Sequence, residues 1–370
     1  MRKFCFIEVK EETSGANMMA ILLVTAGITI SMTFFTLNLI YLLRDPKYFA
    51  ISDADKVTEI TSTITLAALI LSLTLSVFLG QLYDILGRRC LILVFFVLTL
   101  IMTASVPYLS PSLFLLTLAM MILQLMTKVL NANPLIPDYV EKTSIGKGVL
   151  FHYVGVAVGE IICTGIIFRV SASWDIKYSF FLAASFITVI TVLLFFAIRE
   201  VKPELRVEKG EFQKMEEPMN FCDKVGFLSR RIWQVLRSDV RYIYCLLSYM
   251  AVNTFYIAAS LYLILWITSF VDSGYFSNEA ESKTILSTLG LLTLVFSAFI
   301  FPLFGVIVDK VSSHVLSPLS SSIRPIAVLL FIICAHVPDS WITCLAMVSM
   351  TLGTFLQSLV THKLFLYELP

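Results

Sequence analysis

The sequence predicts an all-α membrane protein that crosses the bilayer about ten times, and three observations carry that expectation. Of its 370 residues, 58% are hydrophobic and only 14% are charged, whereas a soluble globular chain carries roughly 45–50% apolar and about 25% charged residues. The apolar residues are gathered into runs about 20 residues long, the length a helix needs to cross ~30 Å of hydrocarbon. These runs are apolar on every face, unlike the alternating ~10-residue strands of a transmembrane barrel.

Taken in order, the spans run from about 18 to 43, 62 to 82, 90 to 108, 112 to 131, 148 to 168, 178 to 198, 243 to 268, 284 to 308, 322 to 337 and 340 to 361. The first is preceded by "MRKFCFIEVKEETSGAN", whose acidic flank and lack of a cleavage-like site argue against a secretory signal. Most of the 27 lysines and arginines fall at the amino terminus and in every second loop, with ten between Arg199 and Arg241. By the positive-inside rule the amino terminus faces the cytoplasm or its organellar equivalent; which membrane holds the chain stays open.

A formal net charge of +1 gives no footprint for nucleic acid. Four of the seven cysteines (Cys163, Cys245, Cys334 and Cys344) lie in or beside apolar spans without a CxxC pair, and read as packing residues. The four histidines are separated by whole spans and have no ligand spacing. Neither a metal nor a cofactor is expected. The absence of HExxH, GxGD or GxSxG argues against an intramembrane enzyme.

Residues 199 to 242 divide the chain. They separate a six-span unit, 1–198, from a four-span unit, 243–370, and hold Pro203, Gly210, Pro218 and a dense set of charges. Within this linker Phe221, Val225, Leu228, Ile232 and Val235 recur at helical spacing, predicting an amphipathic helix along the cytoplasmic surface; a flexible charged loop is the alternative.

After eighteen uncharged residues, Ser62 to Leu79, the second span ends in "GQLYDILGRR", and a paler "GVIVDK" begins at Gly305. A shift of 225 residues sets Gly80 on Gly305 and Asp84 on Asp309, and brings span one onto span seven, as in a parallel internal repeat. Gly80 lets helix backbones approach, Gly87 permits a tight turn, and Asp84 is placed to meet the positive end of a neighbouring helix.

These residues resemble the loop two-three signature of the major facilitator superfamily, G-x-L-x-D-x-x-G-R-R, with Gly80, Leu82, Asp84, Gly87, Arg88 and Arg89 in place. "GKG" from Gly146 is similar to the family's loop four-five ending. The resemblance implies a secondary transporter of two six-helix halves around a central cavity, moving a small solute by alternating access, with Asp84 latching the cytoplasmic side. It implies a second, weaker latch at Gly305, Asp309 and Lys310, with Lys147 near Asp309. Against that pattern the last two of twelve helices are missing, so that Asp84 lacks its customary neighbour; a sequence cut short, a genuine ten-helix variant and a degenerate member kept for another role are the alternatives. The alternative is a shortened, non-transporting subunit of a larger membrane complex, with a partner protein covering the place of those helices.

The family's cavity is lined by spans one, four, seven and ten, where the polar residues are Asn38, Gln124, Lys128, Asn253, Tyr256 and Gln357. Amides at such positions either contact solute or join one helix to another. Glu160 lies about twelve residues into span five, close to the bilayer centre. It either carries a coupling proton or is held structurally, paired with Lys128 or hydrogen-bonded to a neighbouring helix. Gly155 and Gly159 form a GxxxG face for close helix packing. Antiporter and sugar-porter marks are absent or blurred, which leaves the solute class open.

Overall fold

The computed structural model describes residues 2–4, 7–11, 13–131, 135–141, 144–199 and 262–363, with ten further helical positions between 226 and 259. Backbone alone is described at 2–3, 73–82, 84–86, 128–129, 131, 145–146, 297–310, 313–314, 355, 358–359 and 361–363. The long helices are α1 (Gly15–Arg44), α2 (Ala54–Leu86), α3 (Arg88–Ser105), α4 (Leu113–Asn131), α6 (Ile145–Glu160), α7 (Ile176–Ala197), α9 (Glu279–Lys310), α10 (Ser313–Ile333) and α11 (Trp341–Lys363). A short α5 (Ile136–Tyr139) precedes α6, a π-helical segment (Ile161–Phe168) prolongs α6, and α8 (Tyr262–Asp272) is the fully described part of the seventh span. Five described helices are individually long and apolar enough to cross a membrane.

The helix ends follow local chemistry. Ser14 caps α1 by accepting from the Asn17 amide while the Asn17 side chain accepts from the Ser14 amide, a reciprocal capping box. Asp53 and Asp175 cap α2 and α7 through their carboxylates. Gly87 ends α2 and starts α3 with φ of 86°, a region costly for any side chain, and so turns the chain back within one residue.

In the amino-terminal half α1 is the hub, packing against α6 and α7, while α2 packs on α4 and α3 on α7. Gly155 and Gly159 of α6 press on α1: a methyl on either would stand 2.7 Å from the Leu22 carbonyl oxygen or 2.5 Å from that of Ala26. The Thr25 hydroxyl and His152 Nδ1, 2.9 Å apart and buried, join the same two helices. In the second half α10 and α11 pair, and α9 lies against α11. The halves meet where α9 packs on α6 and the π-helical segment, with the Ser287 hydroxyl donating to the Thr164 carbonyl at 2.6 Å.

One element departs from an all-helical expectation. Strands β1 (Arg2–Phe4) and β2 (Ile7–Val9) form an antiparallel hairpin ahead of α1. It docks on the segment after α4: the Lys10 amide donates to the Tyr139 carbonyl at 3.0 Å and the Glu141 amide to the Glu8 carbonyl at 3.1 Å. Those partners give the hairpin a third strand-like neighbour, without which two three-residue strands would be marginal. Of the expected cytoplasmic amphipathic helix, Phe221, Val225, Leu228, Ile232 and Val235 lie outside the described residues; Gly226, Arg230, Trp233 and Arg237 are helical.

Candidate functional site

Between the halves lies a cavity of about 170 Å³, lined from α1, α2, α4, α6 with its π-helical extension, α8, α9 and α11. Most of the wall is apolar: Met32, Met120, Met347 and Met350 face Leu37, Leu263, Leu286 and Phe168. Methionine suits such a wall because its flexible thioether adapts to different shapes. Set into it are the hydroxyls of Thr33, Thr36, Thr65, Thr164, Ser287, Thr293 and Thr351, the amide of Gln124 and the carboxylate of Glu160.

Two of these polar groups stand apart. The Thr164 and Thr293 hydroxyls are satisfied by the carbonyls of Glu160 and Leu289, one turn back in their own helices. By contrast the Thr65 hydroxyl and Gln124 Oε1 are buried and have no hydrogen-bond partner among the described residues. A buried polar atom left unpaired costs about 1–3 kcal/mol, and both residues belong to the cavity wall. Glu160 sits where α6 passes into the π-helical segment, and such a change of helix geometry re-aims the side chains beside it.

Both ends of the helix bundle carry polar clasps. At the end away from the amino terminus, Arg44 of α1 grips Asp272 of α8 through two hydrogen bonds of 3.2 and 2.6 Å. Beside it the Tyr41 and Ser282 hydroxyls lie 3.0 Å apart, and Lys283 sits 4.4 Å above the Tyr41 ring. These contacts tie the halves across the cavity's distal end. Farther out, Asp175 accepts from Lys47 Nζ and the Tyr48 hydroxyl, both at 2.7 Å; these bonds hold its carboxyl down to about 2.

At the amino-terminal end Arg88 forms a 2.9 Å ion pair with Asp138 of α5, whose side chain is 5% exposed. Arg89 donates to the Phe195 carbonyl at 3.0 Å and lies 5.4 Å over its ring. Asp138 was not among the residues that the sequence reading singled out. Its only signal was a carboxylate close behind span four, within "NPLIPDYVEK".

The other sequence-derived positions are distributed as follows. Gly80, Leu82 and Asp84 lie in the last turns of α2, and Gly305, Asp309 and Lys310 in those of α9; their side chains are outside the described residues. So is the side chain of Lys128, while Asn253 and Tyr256 lie outside the described residues altogether. Gln124 and Glu160 come together on the cavity wall. Asn38 is not part of that wall: it is buried and donates to the Phe34 carbonyl at 3.0 Å, within α1 itself. Gln357 faces α10, where its Oε1 accepts from Ser320 and, at 3.4 Å, Ser321. Thr65, Ser287 and the remaining hydroxyls had gone unmarked.

Comparison with known proteins agrees with this architecture. The xylose transporter XylE from E. coli, in a partially occluded inward-open conformation, is similar in fold with a TM-score of 0.62 at 14% identity, over 95% of this chain and 85% of that one. The POT family transporter PepTSo gives 0.57 at 12% identity, over 95% and 83%. The human organic anion transporter MFSD10 gives 0.56 at 14% identity, over 94% and 89%. No curated protein sequence matches the chain. The sequence model of the Major Facilitator Superfamily matches residues 18–364. The chain, an integral membrane protein of transporter fold, belongs to the major facilitator superfamily.

Proposed function

We propose that the protein is a secondary carrier that moves a small solute through this cavity by alternating access, with its amino terminus in the cytoplasm. The observation that carries the reading is a largely apolar cavity between two helix groups with Thr65, Gln124 and Glu160 on its wall. A solute offering a donor to the Gln124 amide oxygen, which is buried without a partner among the described residues, would satisfy it.

In this reading residues 1–198 and 243–370 are the rocking units and 199–242 the linker. The distal end is closed by Arg44 with Asp272 and by Tyr41 with Ser282. Opening it exchanges those contacts for others at the cytoplasmic end, where the Arg88–Asp138 pair braces the loop that follows Asp84. Glu160, on the wall beside the solute, is the group placed to couple a proton to the movement.

Spin labels in a cysteine-depleted background test the reading. One pair at Lys47 and Tyr275 reports the distal end, and one at Lys147 and Ser312 the cytoplasmic end. We expect two populations, in which a long distal distance accompanies a short cytoplasmic one, and Asp272→Asn should shift the balance towards the distal-open state. A single distance at each end, unmoved by Asp272→Asn, would rule out alternating access.

A further inference from the structure

The distal end of the cavity holds a charge that the clasps there do not use. On α9, Leu286, Ser287 and Gly290 line the cavity, and Lys283 stands on the same helix face one turn nearer the distal end, just ahead of the eighth span. On α1, Tyr41 likewise follows the lining residue Leu37 by one turn. The Lys283 ammonium lies 4.4 Å over the Tyr41 ring, so this contact joins the second half of the protein to the first.

Lys283 is only 6% exposed, and its neighbours Tyr41 and Ser282 are 1% and 0% exposed. Among the described residues the ammonium forms no hydrogen bond and no ion pair. Glu279, one turn earlier in α9, and Asp45, at the end of α1, attract it without reaching it. Close by, Arg44 and Asp272 are engaged with each other.

Opposing effects therefore meet at Lys283. The ring face and the two carboxylates favour the charge, and removal from water disfavours it. Removal from water wins: burial, the larger effect, holds the ammonium below the ordinary lysine value against the attraction of Glu279 and then Asp45. A lysine ammonium is compact and strongly hydrated, so it loses much when buried. The closed distal end thus carries a charge that water would hold better, while the Arg44–Asp272 and Tyr41–Ser282 contacts work to keep it shut. A carrier needs such opposition, because a state too stable to leave stops the cycle.

We propose that Lys283 is the opening element of the distal gate: its buried ammonium opposes closure, and the parting of α9 from α1 returns it to water. The proposal rests on the carrier reading and adds to it a residue that acts against the clasps.

The Lys47 and Tyr275 spin-label pair, in the full cysteine-depleted chain in liposomes at neutral pH, reads the gate. Lys283→Met keeps the unbranched length and the contact with the Tyr41 ring but not the charge. It should lower the ratio of distal-open to distal-closed molecules about tenfold. Glu279→Gln removes the carboxylate that attracts Lys283 most and should raise the ratio, but should not do so in the Lys283→Met background. A role in packing alone would not produce that dependence.

The unaltered chain supplies a second measurement, free of any folding defect in a variant. A membrane-impermeant N-hydroxysuccinimide ester is added on the distal side and acylation is read by peptide mass spectrometry. Lys283 should react more slowly than Lys56, whose side chain is 70% exposed, and should react several-fold faster when Asp272→Asn loosens the clasp. An unchanged or raised open ratio in Lys283→Met, or acylation of Lys283 at the rate of Lys56, overturns this proposal and leaves alternating access standing. A single distal distance in the unaltered chain, unmoved by Asp272→Asn, ends both.

Discussion

Arg88 opens α3 and Asp138 lies in the short α5, fifty residues on, yet their side chains meet at 2.9 Å with the carboxylate 5% exposed and the guanidinium 16% exposed. The pair fastens the turn after α2 to the segment on which the amino-terminal hairpin also docks. Removing one partner of a buried pair takes away a contact that balances the other charge, at a cost of up to about 3 kcal/mol. Asp138→Ala and Arg88→Ala should each lower the melting temperature clearly in detergent, and the double variant should lose less than the two singles added together. Strict additivity would mean that the pair has no coupling energy.

The close approach of α6 to α1 gives a sharper contrast. Gly159→Ala would place a methyl 2.5 Å from the Ala26 carbonyl oxygen, against backbone that cannot yield without moving α1. Overpacking of this kind costs roughly 1–3 kcal/mol. Gly226→Ala meets nothing within 4 Å and removes a helical glycine, so it should be neutral or slightly stabilising. Parallel thermal melts of the two variants check the pair of expectations, and equal effects would mean that α1 and α6 are not in backbone contact.

Asp175 predicts a pH response. Its carboxyl is lowered from 3.8 to about 2, first by the hydrogen bond from Lys47 and then by that from Tyr48. A group depressed on folding contributes stability that is present above its unfolded value and lost as pH falls through the folded one. The loss should therefore come between about pH 4 and pH 2. It should amount to no more than about 1 kcal/mol, because the carboxylate is a quarter exposed and Lys47 is largely in solvent. In Asp175→Asn that part of the acid-induced fall in melting temperature should vanish. An unchanged acid profile in the variant would remove Asp175 from the account.

What the sequence disclosed and what it hid differ by physical cause. The turn at Gly87 was legible because a single residue must adopt positive φ there, and only its own chemistry decides whether it can. The helices were legible because their length is set by the bilayer. Cavity-facing residues were harder, since α1 is apolar on every side and gives no periodicity to mark one face. Gln124 and Glu160 stood out as amide and carboxylate in hydrocarbon. Thr65 did not, because most membrane threonines return their hydroxyl to their own helix, as Thr61 does to Val57 one turn earlier. Asn38 shows the converse: a polar residue of the right depth whose amide is already engaged by Phe34. The hairpin at residues 2–9 escaped notice because its pairing depends on Tyr139 and Glu141, far along the chain.

Gln124 separates stability from transport in opposite directions. Gln124 belongs to the cavity wall and its Oε1 is buried without a partner among the described residues, at a desolvation cost that nothing in the described structure offsets. Leucine at this position fills similar space and carries no orphan atom, so Gln124→Leu should stabilise the solute-free protein by about 1 kcal/mol, read as a higher melting temperature. The same change removes the acceptor proposed to meet the solute, and one hydrogen bond of this kind corresponds to about tenfold in affinity. Proteoliposomes loaded from a mixed small-solute pool should therefore accumulate the transported species about tenfold less with the variant at limiting concentration. A variant that is both more stable and equally active would show that Gln124 faces an empty space, and the solute would then have to be sought on the opposite wall, at Ser287 and Thr351.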